Sequence, residues 1–65
     1  MTPEHARDYL ALAADTETGR AAIEHVCAND AATIIENPRR GDDASTVTIA
    51  TKVKHVLHCR YPNLF

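Results

Sequence analysis

Residues 45–60 constrain the fold most, because they form the longest run in the sequence with a helical pattern. Large apolar residues recur there at the spacing of one buried face on an α-helix, namely Ile49, Val53, Val56 and Leu57. Ser45 or Thr46 can cap the start of the segment, and Pro62 stops it shortly after Arg60. The sequence therefore predicts an amphipathic C-terminal helix.

The rest of the chain also has a helical pattern. Thr2, Pro3 and Glu4 are typical of a helix start, and they predict a first helix from about Pro3 to Ala14. Its predicted inner face holds Ala6, Tyr9, Leu10 and Ala13, with the hydroxyl of Tyr9 able to reach water. Residues 15–19, which include Gly19, break the pattern with residues that cap and turn, and a second helix is predicted to start there.

The second helix is expected to bury Ile23, Val26 and Cys27. A break near Asn29 and Asp30 is favoured over one helix across residues 18–36, with a short third helix over residues 31–36. Residues 37–44 form a predicted loop, since the residue before Pro38 disfavours helix. Residues 46–49 are β-branched and alternate polar with apolar, so a short strand there is an open alternative.

These elements predict one all-α domain of three to four short helices, with the C-terminal helix packed on the first two. The predicted core comprises Leu10, Ile23, Val26, Ile34, Ile49, Val53, Val56 and Leu57. Leu, Ile, Val and Phe together number only thirteen of the 65 residues. Such a small core indicates that a second copy helps to stabilise the chain, so a homodimer is expected.

The chemistry of the side chains does not point to an enzyme. Two glycines cannot build a phosphate-binding loop, and no cofactor site or membrane span is expected. The two cysteines are interpreted as reduced, buried thiols in a cytoplasmic protein. A single chain offers no full set of metal ligands, although His55 and Cys59, four residues apart, could share a metal across a dimer.

Two hypotheses about function remain. The first is a non-enzymatic protein–protein interaction module, a regulator or inhibitor that occupies a partner surface. Its candidate contacts are apolar residues outside the predicted core or in the C-terminal tail, residues 61–65; they are Leu12, Tyr61, Leu64 and Phe65.

The alternative is a dimeric DNA-binding regulator that uses the basic face of the last helix. Residues 1–37 carry a net charge of −5 and residues 38–65 a net charge of +3. The candidate contacts with nucleic acid are basic and imidazole side chains of the second half, namely Arg39, Arg40, Lys52, Lys54, His55 and His58. The overall charge of −2 makes this the second choice.

Overall fold

The computed structural model describes residues 1–63, which form a bundle of α-helices. The helices are α1 (Pro3–Ala14), α2 (Glu17–Cys27), α3 (Ala31–Glu36) and α4 (Asp43–Arg60). A short 3-10 turn, Ala28–Asp30, joins α2 to α3. Helix α4 packs against both α1 and α2. The all-α fold predicted from the sequence is therefore confirmed.

Threonine side chains cap the first two helices. The backbone N–H of His5 donates to Thr2 Oγ1 at 3.2 Å, and the N–H of Gly19 donates to Thr16 Oγ1 at 2.9 Å. The hydroxyl of Thr16 also donates to the carbonyl oxygen of Ala13 at 3.0 Å. Thr16 thus ends α1 and starts α2 with the same side chain, which fixes the short connection between them.

Helix α2 starts within residues 15–19, as predicted, and Gly19 is buried inside its first turn. A Cβ atom at this position would overlap the backbone carbonyl of Ala13. The absence of a side chain lets the end of α1 approach α2 closely.

The break between α2 and α3 is confirmed, and one helix across residues 18–36 is ruled out. Ala28 ends α2 with a φ of +46°, a backbone conformation that L-residues with a Cβ atom rarely adopt. The 3-10 turn follows at once, and Asp30 at the start of α3 makes no side-chain capping hydrogen bond.

Helix α4 begins earlier than predicted because Asp42, not Ser45 or Thr46, caps it. The N–H of Ser45 donates to Asp42 Oδ1 at 2.8 Å, and its hydroxyl donates to the other carboxylate oxygen at 3.1 Å. The loop therefore covers residues 37–42 and not 37–44.

No strand forms over residues 46–49, which lie inside α4. The threonines of this segment donate their hydroxyls to carbonyl oxygens one turn earlier: Thr46 to Asp42 at 2.7 Å, Thr48 to Ala44 at 3.0 Å, and Thr51 to Val47 at 2.8 Å. These bonds satisfy the polar side chains within the helix, and packing against α1 and α2 overrides the β propensity.

The core consists largely of small residues. The predicted Leu10, Ile23, Val53 and Leu57 are buried, but Val26, Ile34, Ile49 and Val56 are only half-buried against its edge. Their expected places are taken by the buried alanines Ala6, Ala13, Ala22, Ala31 and Ala50, together with Thr46. Since Thr46 and Ala50 face inwards, α4 is rotated relative to the predicted stripe, and its larger apolar residues Ile49 and Val56 border the surface.

The hydroxyl of Tyr9 does not reach water, contrary to the prediction. The side chain is half-buried, but its hydroxyl oxygen is buried and has no hydrogen-bond partner among the described residues. Burial raises the pKa of this phenol above its ordinary value of 10.0. Within residues 1–63, the core thus contains an unsatisfied polar atom, which destabilises the folded state.

None of the helices in residues 1–63 is long and apolar enough to cross a membrane.

Candidate partner-binding surface around α4

The outer side of α4 is cationic because its sequence contains no acid after Asp43. Residues 44–60 carry three basic and two imidazole side chains and no aspartate or glutamate. These side chains are Lys52, Lys54, His55, His58 and Arg60, and all of them are exposed. Residues 44–60 therefore contain no acidic side chain that could neutralise these cations within the helix.

The outward direction of α4 is defined by the residues that it buries. At about 100° per residue, His55 lies about 180° and Cys59 about 210° around the helix from the buried line. This line runs through Thr46, Ala50, Val53 and Leu57. We call His55 and Cys59 the α4 crest. Lys52 lies about 230° around the helix from the same line, next to Cys59, whereas Lys54 lies about 70° from it, on the other side of the crest.

A groove between α2 and α4, here called the α2–α4 groove, lies on the Lys52 side of the crest. It combines apolar and polar side chains and is lined by His25, Val26, Thr51, Lys52, His55 and Val56. Val26 and Val56 are half-buried valines that border the core, whereas His25 and Lys52 are exposed. The groove therefore offers apolar contact between cationic or ionisable side chains.

On the Lys54 side of the crest, two further depressions share this lysine. One is lined by Thr51, Lys54, His55 and His58, and the other by Met1, Thr2, His5 and Lys54. Together with the α2–α4 groove, these depressions place all four histidines of the chain around α4. Sequence reasoning missed His5 and His25, because only the packing of α1 and α2 brings them to this surface.

The loop arginines do not line the α2–α4 groove or the two depressions beside Lys54. Arg39 forms an ion pair with Asp8, with Nη2 and Oδ1 separated by 3.0 Å. Arg40 lines a different depression at the start of α4, which also contains Asp30, Ile34 and Ile49. A second ion pair joins Arg7 to Asp43. Of the arginines predicted to bind nucleic acid, Arg39 is therefore paired with a carboxylate and Arg40 lines a separate depression. The lysines and histidines of the set line the α2–α4 groove and the two depressions beside Lys54.

The apolar candidate contacts have mixed positions. Leu12 is 65% exposed on α1, and Tyr61, directly after α4, is 39% exposed. Leu64 and Phe65 lie outside the described residues. Leu12 and Tyr61 remain candidate partner contacts.

The two cysteines differ in environment. Cys27 is half-buried, and its pKa is raised by desolvation and by the carboxylate of Asp30, against a smaller lowering by Lys52. Cys59 is exposed, so the expectation that it is buried was wrong. Its Sγ lies 3.6 Å from Nε2 of His55. Within residues 1–63, no group of three or more His, Cys, Asp or Glu side chains is arranged to hold a metal ion.

No protein-family model matches the chain, and comparison with curated proteins and with solved structures gives no significant match.

Proposed function

We propose that this chain is a small, non-enzymatic protein-binding module that regulates or inhibits a partner by occupying its surface. The observation that supports the proposal is the α2–α4 groove, in which two half-buried valines lie between cationic or ionisable side chains. We assign to the groove an amphipathic segment of a partner protein that carries acidic residues beside its apolar face.

The apolar part of the groove explains why a protein segment fits. Val26 and Val56 pack on the core but keep part of their surface in water. Covering that surface would gain roughly 25 cal/mol for each Å² of apolar area removed from water. A helix that places apolar residues three and four positions apart is the usual ligand for such a surface.

The charges around the valines favour an acidic segment. Lys52 and His25 line the groove. Because α4 has no acid after Asp43, no carboxylate within that helix neutralises Lys52. Such complementary charge raises the rate of encounter and selects against basic partners more than it adds affinity.

Duplex DNA is the second candidate, favoured by the acid-free α4. Three observations rank it below a protein segment: the overall charge is −2, Arg39 is paired with Asp8, and Arg40 shares its depression with Asp30. Few cations are left to contact successive phosphates, and phosphate contacts supply most of the affinity of DNA-binding proteins.

The first test compares Lys52→Glu with Lys54→Glu, because these lysines are two positions apart but only Lys52 lines the α2–α4 groove. The probe is a set of fluorescent amphipathic peptides with acidic residues, beside peptides in which glutamine replaces each acid. We expect the acidic peptides to bind more tightly, and Lys52→Glu to weaken binding about tenfold, or about 1.4 kcal/mol. Lys54→Glu should have a much smaller effect.

The nucleic-acid hypothesis would be favoured if the parent chain bound duplex DNA more tightly than the peptides and this affinity fell steeply with salt. Lys52→Glu and Lys54→Glu should then weaken DNA binding equally. Leu12→Ser provides a further control, because Leu12 is an exposed candidate contact on α1 that does not line the α2–α4 groove. If this variant loses peptide binding and Lys52→Glu keeps it, the contact surface is on α1 and the assignment to the groove is wrong.

A further inference from the structure

We infer that the α4 crest is half of a zinc site, which two copies of this chain complete by each supplying His55 and Cys59. The inference goes beyond the proposed function and does not depend on it. It uses the outermost line of α4, where the sequence supplies an imidazole and a thiol one turn apart.

The distance between the two side chains fits the proposal. Cys59 Sγ and His55 Nε2 are 3.6 Å apart, and both residues are exposed. For Zn–S of about 2.3 Å and Zn–N of about 2.0–2.1 Å, two ligand atoms on a tetrahedral zinc ion lie about 3.6 Å apart. The two atoms therefore already have the separation of neighbouring zinc ligands.

A single chain cannot complete the site. Zinc in structural sites takes four ligands, and no third His, Cys, Asp or Glu joins the pair within residues 1–63. A second copy related by a twofold axis brings an identical pair, which gives two thiolates and two imidazoles around one ion. Each zinc ion that binds releases two thiol protons, one from each Cys59, so that the two thiolates balance the charge of the ion.

The position of the pair on α4 allows two helices to approach. The crest lies opposite the buried line of the helix, so α1 and α2 do not cover it. The outward line continues towards the N-terminus through Lys52 and Thr48, which are both exposed. Lys54 projects away from the crest, and the long side chain of Lys52 can carry its charge into water beside the contact.

The ligand types determine which metal fits. Thiolate and imidazole favour zinc, whereas magnesium and calcium prefer oxygen ligands. Cobalt(II) is a useful probe, because its visible absorption reports tetrahedral geometry and thiolate ligation. Magnesium provides the negative control.

The experiment titrates the reduced, metal-free chain with Zn²⁺ while the stoichiometry and the sedimentation mass are measured. We expect one zinc ion for two chains, a dimer that EDTA dissociates, and a tetrahedral thiolate spectrum with Co²⁺. Cys59→Ser and His55→Gln should each weaken zinc binding by more than about tenfold and abolish the zinc-dependent dimer.

Two variants serve as matched controls, Cys27→Ser for the thiol and His58→Gln for the imidazole, and both should keep the site. Binding of one zinc ion to a monomer, no binding at all, or an unchanged site in Cys59→Ser would each overturn the inference. Circular dichroism of each variant checks that the helices are intact. Peptide binding by the groove is measured separately, so failure of the zinc site leaves the proposed function standing.

Discussion

At the scale of single residues, the hydroxyl of Tyr9 is the clearest defect in the core, since it is buried without a partner among residues 1–63. We predict that Tyr9→Phe raises the free energy of unfolding by about 1–2 kcal/mol, because it removes the unsatisfied oxygen and keeps the ring. Urea denaturation at neutral pH checks this. A loss of stability would show that the hydroxyl has a favourable partner.

The same residue predicts a dependence on alkaline pH. The folded-state pKa of Tyr9 is raised above 10.0 by burial. Below that value the hydroxyl is neutral in both states; above it the unfolded chain loses the proton first, so the folded state loses stability. The advantage of Tyr9→Phe over the parent chain should therefore grow as pH rises through this range, and a constant difference would contradict the assignment.

The backbone conformation of Ala28 predicts a second stabilising substitution. Its φ is +46°, which costs an alanine conformational energy that a glycine would not incur. We predict that Ala28→Gly stabilises the chain by about 0.5–1 kcal/mol, after the greater flexibility of glycine in the unfolded chain is subtracted. Ala21→Gly, at an exposed position within α2, should instead destabilise by about 1 kcal/mol. Thermal denaturation of both variants makes the comparison.

At the scale of elements, the start of α4 depends on the ionised carboxylate of Asp42. Hydrogen bonds from the N–H and hydroxyl of Ser45 hold the pKa of this carboxyl below its ordinary value of 3.8. The stabilisation is therefore complete above pH 3.8 and is lost as pH falls through the lower folded-state pKa.

We predict that Asp42→Asn keeps the cap at neutral pH, since asparagine also accepts the hydrogen bond, but loses part of the acid sensitivity. Asp42→Ala should be less stable than the parent at neutral pH. Asp30→Asn is the matched control, because Asp30 makes no side-chain capping bond at α3. Stability is measured by denaturation across acidic pH; identical acid profiles for the parent and Asp42→Asn would contradict the role of the carboxylate.

Local sequence signals predicted the helices better than they predicted the surface that those helices form. Thr2 and Pro3 were enough to place the start of α1, and Asn29 with Asp30 marked the break before α3. The rotation of α4 was missed, because Ala50 and Thr46 are small enough to be buried and the periodicity of larger residues gives them no weight. The ion pair between Arg39 and Asp8, which are thirty-one positions apart, could likewise not be predicted from a local pattern.

At the scale of the whole molecule, close packing of small residues determines which surfaces remain available. Four larger side chains, Leu10, Ile23, Val53 and Leu57, fill the centre, and alanines bring the helices close around them. Larger apolar residues such as Val26 and Val56 are consequently left at the edge, where they line the α2–α4 groove. The small core and the groove thus have the same structural origin.

The histidines of the chain gather around α4 for a similar reason. His5 on α1 and His25 on α2 are far apart in sequence, but both helices pack against α4 and bring them beside its lysines. Proposed partner binding uses the groove on one side of the crest, and the proposed zinc site uses the crest itself. His55 belongs to both, so its replacement tests the two proposals with different readouts.

The binding of an acidic amphipathic segment in the α2–α4 groove is tested most directly by an amide chemical-shift map. The map is recorded on the labelled chain during titration with an amphipathic acidic peptide. We expect the perturbed amides to cluster on the facing sides of α2 and α4, around Val26, Lys52 and Val56, and the glutamine version of the peptide to perturb them less. Perturbations centred on Leu12 of α1, or a response to duplex DNA alone, would contradict the assignment of this segment to the groove.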